Sequence, residues 1–320
     1  MAKRRGKIDE KAVNEVPLVY GGYDFDYCTR LFLEDMEIRN LAYHTRRWHR
    51  ENLHYIKVTL EKLSLPTEPI YIEEKHFKQC ILYWKRDCAL SPTTINHRIR
   101  SMKQLFAFLN GEGIVCGSPT NGEKMKTSNM IIRPFEEDEL RLLFKQPDKS
   151  TFVGYRDYTI MLVLLDTGVR LIELENMKVD DVNLNSNKIL VFGKGAKERE
   201  VIFQSTTKQS LMRYMRFRNQ PEHNYLWISD MGNRLNRKTL QDRLKLYGHK
   251  AQLTKVRVSP HTFRHTMAKM YITKGGDILS LQKILGHSSL EMVRHYVNLW
   301  GSDLQQMHKR YSPVQSLFQD

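Results

Sequence analysis

The sequence is poor in cysteine: its 320 residues contain four, Cys28, Cys80, Cys88 and Cys116. No two of them stand two residues apart, as the ligands of a zinc ribbon would, and four in a chain of this length do not form a disulfide scaffold. We therefore expect reduced cysteines that pack in the interior.

Long apolar runs are also missing. No stretch approaches eighteen consecutive apolar residues, and the basic start MAKRRGKIDEK lacks the apolar run of a secretory signal. These absences predict a cytoplasmic protein with no membrane segment. The chain also lacks a Gly-x-x-x-x-Gly-Lys-Ser/Thr loop, so no nucleotide-binding site is indicated.

Acidic residues are outnumbered. Lysine and arginine total 51 against 36 aspartate and glutamate, a net charge of +15. A basic excess of this size favours a polyanionic partner, with nucleic acid as the first candidate. The hydrophobic fraction of 41% is sufficient for a core, and the length is about twice that of one domain, so two domains are expected.

Periodicity divides the chain into five segments. We predict a basic flexible tail over 1–24, a helical domain over 25–112, a linker over 113–133, a second domain over 134–300 and a C-terminal tail over 301–320. Apolar spacing in the first domain predicts four helices, near 26–39, 44–63, 73–87 and 92–110. The second domain combines helices near 206–219, 236–250, 261–274, 277–285 and 289–298 with a strand pair, KILVFG and EREVIF. The predicted fold class is therefore mainly α with a small β-hairpin, an α+β fold.

The segment SPHTFRHTMAKMYI, residues 259–272, sets His261, Arg264 and His265 at a helix start. The two histidines are four residues apart, as zinc ligands often are, and His287 is a candidate third ligand. However, no glutamate stands between them to act as a base, and the guanidinium would repel a cation. An anion site and an ordinary solvated polar face are the other interpretations of the segment alone.

Three further motifs carry polar groups. Arg170 follows the apolar segment LVLLDTG, and Glu173 is one helical step later, where its carboxylate can orient the guanidinium. The turn FGKGAKERE sets Lys194 at the tip of the predicted hairpin. In LGHSSLEMVRHYV, Tyr296 follows His287 by nine residues.

Taken in order, TGVRLIEL, GKGAKER, HTFRHTMA, LGHSS and HYV resemble the tyrosine recombinases, the phage-integrase and Xer type of site-specific DNA recombinase. The resemblance covers the whole second domain. It extends more loosely to the first through YHTRRWHRENLHYI and SPTTINHRIRSMKQLFAFL. It implies a four-helix core-binding domain followed by a tyrosine-recombinase catalytic domain.

The resemblance implies that Tyr296 attacks a DNA phosphodiester and leaves a 3′-phosphotyrosine and a free 5′-hydroxyl. It assigns Arg170 and Arg264 to a clamp on the phosphate oxygens, Lys194 to the general acid, His261 to acceptance of the tyrosine proton and His287 to a hydrogen bond with the phosphate. Glu173 would steady the clamp, whereas His265 is outside the catalytic set. No metal or cofactor is implied, since cationic side chains take the place of a metal.

The resemblance also directs the basic residues of the chain toward DNA. The predicted DNA contacts are Arg46, Arg47, Arg50, Lys57, Arg98, Arg100 and Lys103 in the first domain and Asn236, Arg237, Lys238 and Arg243 in the second. The implied partners are a double-stranded recombination site and a homotetramer on DNA, with accessory DNA-bending proteins or a partner recombinase as further candidates. The 301–320 tail would dock on a neighbouring subunit, with folding back on its own domain as the alternative.

Two departures from the family are visible, and two other functions stay open. The 1–24 tail is short for the arm-binding domain of lambda-type integrases, and Leu171 and Ile172 are larger and more apolar than their counterparts in many relatives. A type IB topoisomerase would use similar chemistry without recombination, and a non-catalytic architectural protein would bind DNA without cleaving it. The biological task could be integration, excision, resolution or transposition of DNA.

Overall fold

A computed structural model describes residues 22–120, 124–127, 132–193, 198–218 and 222–286. This part of the chain is mostly helical with one small sheet, which confirms the predicted fold class. The chain divides into two compact units, Met1–Asn129 and Met130–Asp320, here called the N-terminal and C-terminal units. No helix in the described ranges combines the length and the apolar character that a membrane crossing requires.

The N-terminal unit is built from helices α1 (Phe25–Ile38), α2 (Tyr43–Lys62), α3 (Glu74–Arg86) and α4 (Pro92–Gly111). Each begins and ends within one residue of its predicted bounds. The predictions for α4 succeed because its start has two independent signals: the Ser91 side chain accepts a hydrogen bond from the Thr94 amide at 3.2 Å, and Pro92 occupies the first turn.

One apolar core holds this unit together. Ile56, Phe77, Trp84 and Met102 contribute from three helices and are fully buried. The indole of Trp84 also donates to the Thr59 hydroxyl at 2.8 Å, so its single polar group is satisfied in the interior.

The C-terminal unit has seven described helices and three strands. They are α5 (Glu137–Phe144), α6 (Phe152–Thr167), α7 (Leu171–Asn176), β1 (Val182–Asn183), β2 (Lys188–Phe192), β3 (Glu198–Ile202), α8 (Ser205–Phe217), α9 (Arg237–Lys250), α10 (Pro260–Thr273) and α11 (Ile278–Leu285). The predicted hairpin and the helices that correspond to α8 to α11 are confirmed. The helix predicted over 289–298 lies outside the described residues. Strand β1 was not predicted, because two residues carry no readable alternation.

The strands form an antiparallel sheet in the order β1, β2, β3, with Ile189 paired to Val201 and Val191 to Arg199. Ile189, Val191 and Val201 are buried, as the period of two requires for one covered face. Arg199 shares that inward set between two exposed glutamates, an unusual position for a charged residue.

Helix α6 is the centre of the C-terminal unit and packs against both α8 and α10. Its neighbour α10 contributes Phe263, which is fully buried and meets Phe135 edge to face at 5.1 Å. Because α10 runs beside α6, the turn after α6 and the early residues of α10 come together, although about 90 residues separate them in the sequence.

A buried charge network fixes α9 to α6. Asp157 accepts from both Arg156 and Arg243, the latter at 2.6 Å, and from the Tyr247 hydroxyl at 2.8 Å. Burial and the Asp157 carboxylate together raise the pKa of Tyr247 well above its usual range, so the phenol stays protonated and donates. The orientation of helix α9 therefore depends in part on the Asp157 carboxylate.

We predict that Asp157→Asn lowers the melting temperature of the full chain by about 6 °C or more, since it leaves the buried guanidinium of Arg156 and the half-buried one of Arg243 without their counterion. Calorimetry of the full chain measures this. The matched control is Asp242→Asn, which alters an exposed aspartate of α9 that meets Lys245 at 3.4 Å; it should change the melting temperature by about 1 °C or less. Equal effects of the two substitutions would contradict a structural role for the network.

Candidate active site

The turn between α6 and α7 presents Arg170. Helix α6 ends at Gly168, whose φ of +61° is in the left-handed region that glycine favours. Arg170 then caps α7: its backbone amide donates to one oxygen of Glu173 and its Nη1 to the other, both at 2.8 Å. These two hydrogen bonds confirm the predicted pairing of Arg170 with Glu173. The Glu173 side chain has no exposed surface.

The first turns of α10 present Arg264. The Ser259 side chain accepts from the Thr262 amide at 3.3 Å and Pro260 takes the first position, which starts the helix where the sequence predicts it. From there the Arg264 guanidinium donates to the carbonyl oxygens of Gly168 at 2.6 Å and Leu285 at 2.7 Å. The side chain is buried, so these contacts fix its direction.

The carboxyl end of α11 is where the two arginines meet. Arg264 binds the Leu285 carbonyl, and Arg170 binds the Gly286 carbonyl at 3.0 Å. The last carbonyls of a helix have no partner within it and carry the negative end of its dipole, so they attract guanidiniums. This helix end therefore gathers two cations from distant parts of the chain.

A third arginine, which the sequence analysis did not single out, completes the cluster. Arg199 of β3 donates from Nη2 to Glu173 at 2.8 Å and from Nη1 to the carbonyl of Ile284. A signal was present in the sequence: Arg199 occupies an inward position of an alternating strand, where an unpaired charge would be costly.

Glu173 is ionised in this setting. Burial raises the pKa of its carboxyl group, but the Arg170 amide and the two guanidiniums more than offset this and hold the pKa below its usual range. The cluster thus contains three guanidiniums and one carboxylate, a net charge of two positive. Arg170 is still 34% exposed, and described residues use only two of its five N–H donors, so it can bind an external anion.

His261 stands beside this cluster in the first turn of α10. Partial loss of its water shell lowers the pKa of the imidazole, and the positive charges of Arg264, Arg257 and Arg170 lower it further. The ring is therefore neutral at pH 7 and able to accept a proton, although it stays exposed at the edge of the site.

The structure therefore brings together four of the predicted site residues, Arg170, Glu173, His261 and Arg264. The other three, Lys194, His287 and Tyr296, lie outside the described residues. Lys194 follows strand β2, which ends at Phe192, and precedes strand β3, which begins at Glu198. His287 directly follows Gly286 in the sequence.

The metal interpretation of the histidine pair has no support in the described ranges, where no group of three or more His, Cys, Asp or Glu side chains could hold a metal ion. Arg264 stands between His261 and His265 on α10, and its guanidinium is bound to two carbonyls of the site.

Most predicted DNA contacts of the N-terminal unit are engaged within the unit. Arg46 pairs with Glu37 at 2.5 Å, Arg47 with Glu51 at 2.7 Å, and Lys57 with Asp26. Arg98 stacks on Tyr55 and Trp84 and Arg100 on Trp48, with ring centroids 4.7 to 6.0 Å away. Arg50 is exposed and Lys103 half-buried. DNA contact by these residues stays a prediction.

The predicted contacts of the C-terminal unit cluster at the start of α9. Asn236 caps the helix by accepting from the Thr239 amide at 2.9 Å, Arg237 pairs with Glu175 at 2.8 Å, and Lys238 is exposed. Arg243 belongs to the Asp157 network. Through this pairing Arg243 helps to orient α9. Its contact with DNA stays a prediction.

The sequence is similar to a known family and to known recombinases. The model of the phage integrase family matches residues 133–301. The tyrosine recombinase XerC of Oceanobacillus iheyensis is 28% identical over 88% of this chain and 94% of its own length. The tyrosine recombinase XerD of Pseudomonas putida is 30% identical over 72% of this chain and 80% of its own length.

Solved structures share the fold. A Tn1549 transposon integrase in complex with transposon right end DNA has a TM-score of 0.72 and 18% identity, over 89% of this chain and 99% of that one. The XerH site-specific recombinase bound to its palindromic difH substrate has a TM-score of 0.68 and 19% identity, over 91% of this chain and 85% of that one. This chain belongs to the phage integrase family of tyrosine recombinases.

Proposed function

We propose that this recombinase cleaves and rejoins DNA at specific sites through a covalent 3′-phosphotyrosine at Tyr296. The observation that carries the proposal is the convergence of Arg170 and Arg264 on one helix end, beside a neutral His261. Such a cluster fits a phosphodiester, whose nonbridging oxygens gain negative charge in the transition state and are stabilised by preorganised guanidinium donors.

The proposed step balances its protons between two residues. The Tyr296 oxygen forms a bond to phosphorus and the bond from phosphorus to the 5′-oxygen breaks. A phenol with a pKa near 10 is only about 0.1% ionised at pH 7, so His261 accepts its proton. The leaving alkoxide is a far stronger base than the phenolate and takes a proton from Lys194. His287 donates a hydrogen bond to the phosphate.

The proposal includes the assembly on DNA. DNA strand exchange joins two duplexes, each cut on both strands, so we propose a homotetramer on double-stranded DNA, with the 301–320 tail as its docking segment. The N-terminal unit and the start of α9 would supply contacts to the DNA backbone and groove. Accessory DNA-bending proteins or a partner recombinase are further candidates, and we propose a cytoplasmic location.

We predict that a nicked suicide duplex traps wild-type protein as a covalent adduct, and that Tyr296→Phe abolishes the adduct without weakening DNA binding, because only the nucleophilic oxygen is removed. Denaturing gel electrophoresis detects the adduct and a mobility shift measures binding. Tyr271→Phe, on α10, is the control and should retain the adduct. Persistence of the adduct in Tyr296→Phe would reject this nucleophile, and relaxation of supercoils without sequence preference would favour a topoisomerase.

The environment of His261 generates a prediction about pH. Arg257→Gln removes one of the cations that lower the pKa of His261, so the imidazole pKa rises and the acid limb of the cleavage rate moves to higher pH. Single-turnover cleavage of saturated DNA measures the profile. Lys250→Gln, the same charge change on exposed α9, should leave the limb in place. A limb that moves downward, or equally in both variants, would remove His261 as the proton acceptor.

A further inference from the structure

We propose that Arg199 is a positioning residue for the phosphate clamp: it holds Glu173 and the end of α11 in the arrangement that aims Arg170 at the DNA phosphate. The inference rests on the proposed roles of Arg170 and Arg264 and adds a residue that acts through them. Arg199 would not itself touch the DNA.

The contacts of Arg199 point inward. Its Nη2 reaches Glu173 at 2.8 Å and its Nη1 the carbonyl of Ile284. The side chain is 14% exposed, whereas the Arg170 side chain is 34% exposed. With both terminal nitrogens bound to protein and little surface in contact with water, Arg199 is placed to support the clamp and Arg170 to meet a ligand.

Glu173 needs a second cation beside it if it is to stay ionised and hold the Arg170 guanidinium in place. It is fully enclosed, and a buried carboxylate is costly unless its oxygens are paired. One oxygen receives the Arg170 guanidinium, and the other receives the Arg170 amide and Arg199. Without Arg199, one oxygen would keep only the amide, and the carboxyl group would tend to hold a proton and bind Arg170 less firmly.

Close packing fixes Arg199 against the turn after α11. Gly286 has a φ of +63°, and a Cβ added there would lie 2.6 Å from Cδ and 2.8 Å from Nε of Arg199. The missing side chain at 286 therefore makes room for the arginine stem. The same turn offers its Gly286 carbonyl to Arg170, so the position of Arg199 bears directly on a contact of the clamp.

Arg199 also joins three chain segments. It lies on β3 and binds Glu173 of α7 and the carbonyl end of α11. The hairpin, the clamp and the segment that leads to His287 thus share one side chain. A displacement of β3 would therefore shift Arg170 through the Glu173 carboxylate, which both arginines contact.

The test compares Arg199→Ala, Arg199→Lys and a control, Lys188→Ala. Lys188 lies on the neighbouring strand and pairs with exposed Glu200 at 2.7 Å, so its loss removes a cation from the same sheet without touching Glu173. We expect Arg199→Ala to slow single-turnover cleavage of saturated suicide DNA by roughly 10- to 100-fold, less than loss of a clamp donor itself. Arg199→Lys restores part of the rate, and Lys188→Ala retains it. DNA affinity stays within about threefold in all three, because binding depends on many phosphate contacts.

The pH profile separates positioning from a general loss of structure. Among the described residues, the charged groups that contact Glu173 are Arg170, from the turn before α7, and Arg199, from β3. Helix α11 supplies carbonyls to this cluster, and Arg237 of α9 pairs with Glu175 instead. Loss of Arg199 raises the pKa of Glu173, so the rate of Arg199→Ala should recover as pH rises and Glu173 ionises. The recovery of the rate at high pH should vanish in a double variant that also carries Glu173→Gln. In the Glu173→Gln background, Arg199→Ala should lower the cleavage rate only slightly further.

Each outcome is decisive. A rate for Arg199→Ala within threefold of wild type would overturn the inference. DNA affinity that falls in parallel with rate would make Arg199 a DNA contact, and full additivity with Glu173→Gln would exclude action through that carboxylate. Where Arg199→Ala melts far below wild type, the comparison of Arg199→Lys in the presence and absence of Glu173→Gln decides the question. A wild-type chain that forms no adduct would instead contradict the proposed function.

Discussion

The buried carboxylate of Glu173 is the interaction on which the rest of the site depends. It is fully enclosed, ionised, and held between Arg170 and Arg199. A charge in that position would be costly if either partner moved away. The arrangement therefore resists distortion, and it holds the Arg170 guanidinium in one orientation.

The carboxyl end of helix α11 holds the three arginines from the other side. The last carbonyls of α11 accept from all three arginines, through Ile284, Leu285 and Gly286. Their partial negative charges offset part of the repulsion among guanidiniums that stand close together. Distant segments of one chain thus converge without a metal-ligand cluster in the described ranges. Hydrogen bonds to the backbone set the direction of each cation, and under the proposed function the surplus positive charge is available to a DNA phosphate.

Local sequence signals predicted most of the helices and part of the site. The contacts they did not predict join residues that are far apart in the sequence. The helices of the N-terminal unit and the Arg170 and Glu173 pair follow from periodicity and from spacing of three residues, which the sequence displays directly. The role of Arg199 depends on partners 26 and 85 residues away, and that of Arg243 on Asp157, 86 residues away. Charge alone led to the prediction of a DNA contact at Arg243, and no local pattern reveals that the residue also has a buried partner.

A crystal structure of the chain bound to a duplex with an uncleavable phosphodiester would show directly what the arginines contact. We expect that Arg170 and Arg264 both donate to nonbridging oxygens of one phosphate, while Arg199 keeps its contacts with Glu173 and the end of α11. A structure in which Arg199 leaves Glu173 for the DNA, or in which Arg170 and Arg264 bind different phosphates, would contradict this expectation.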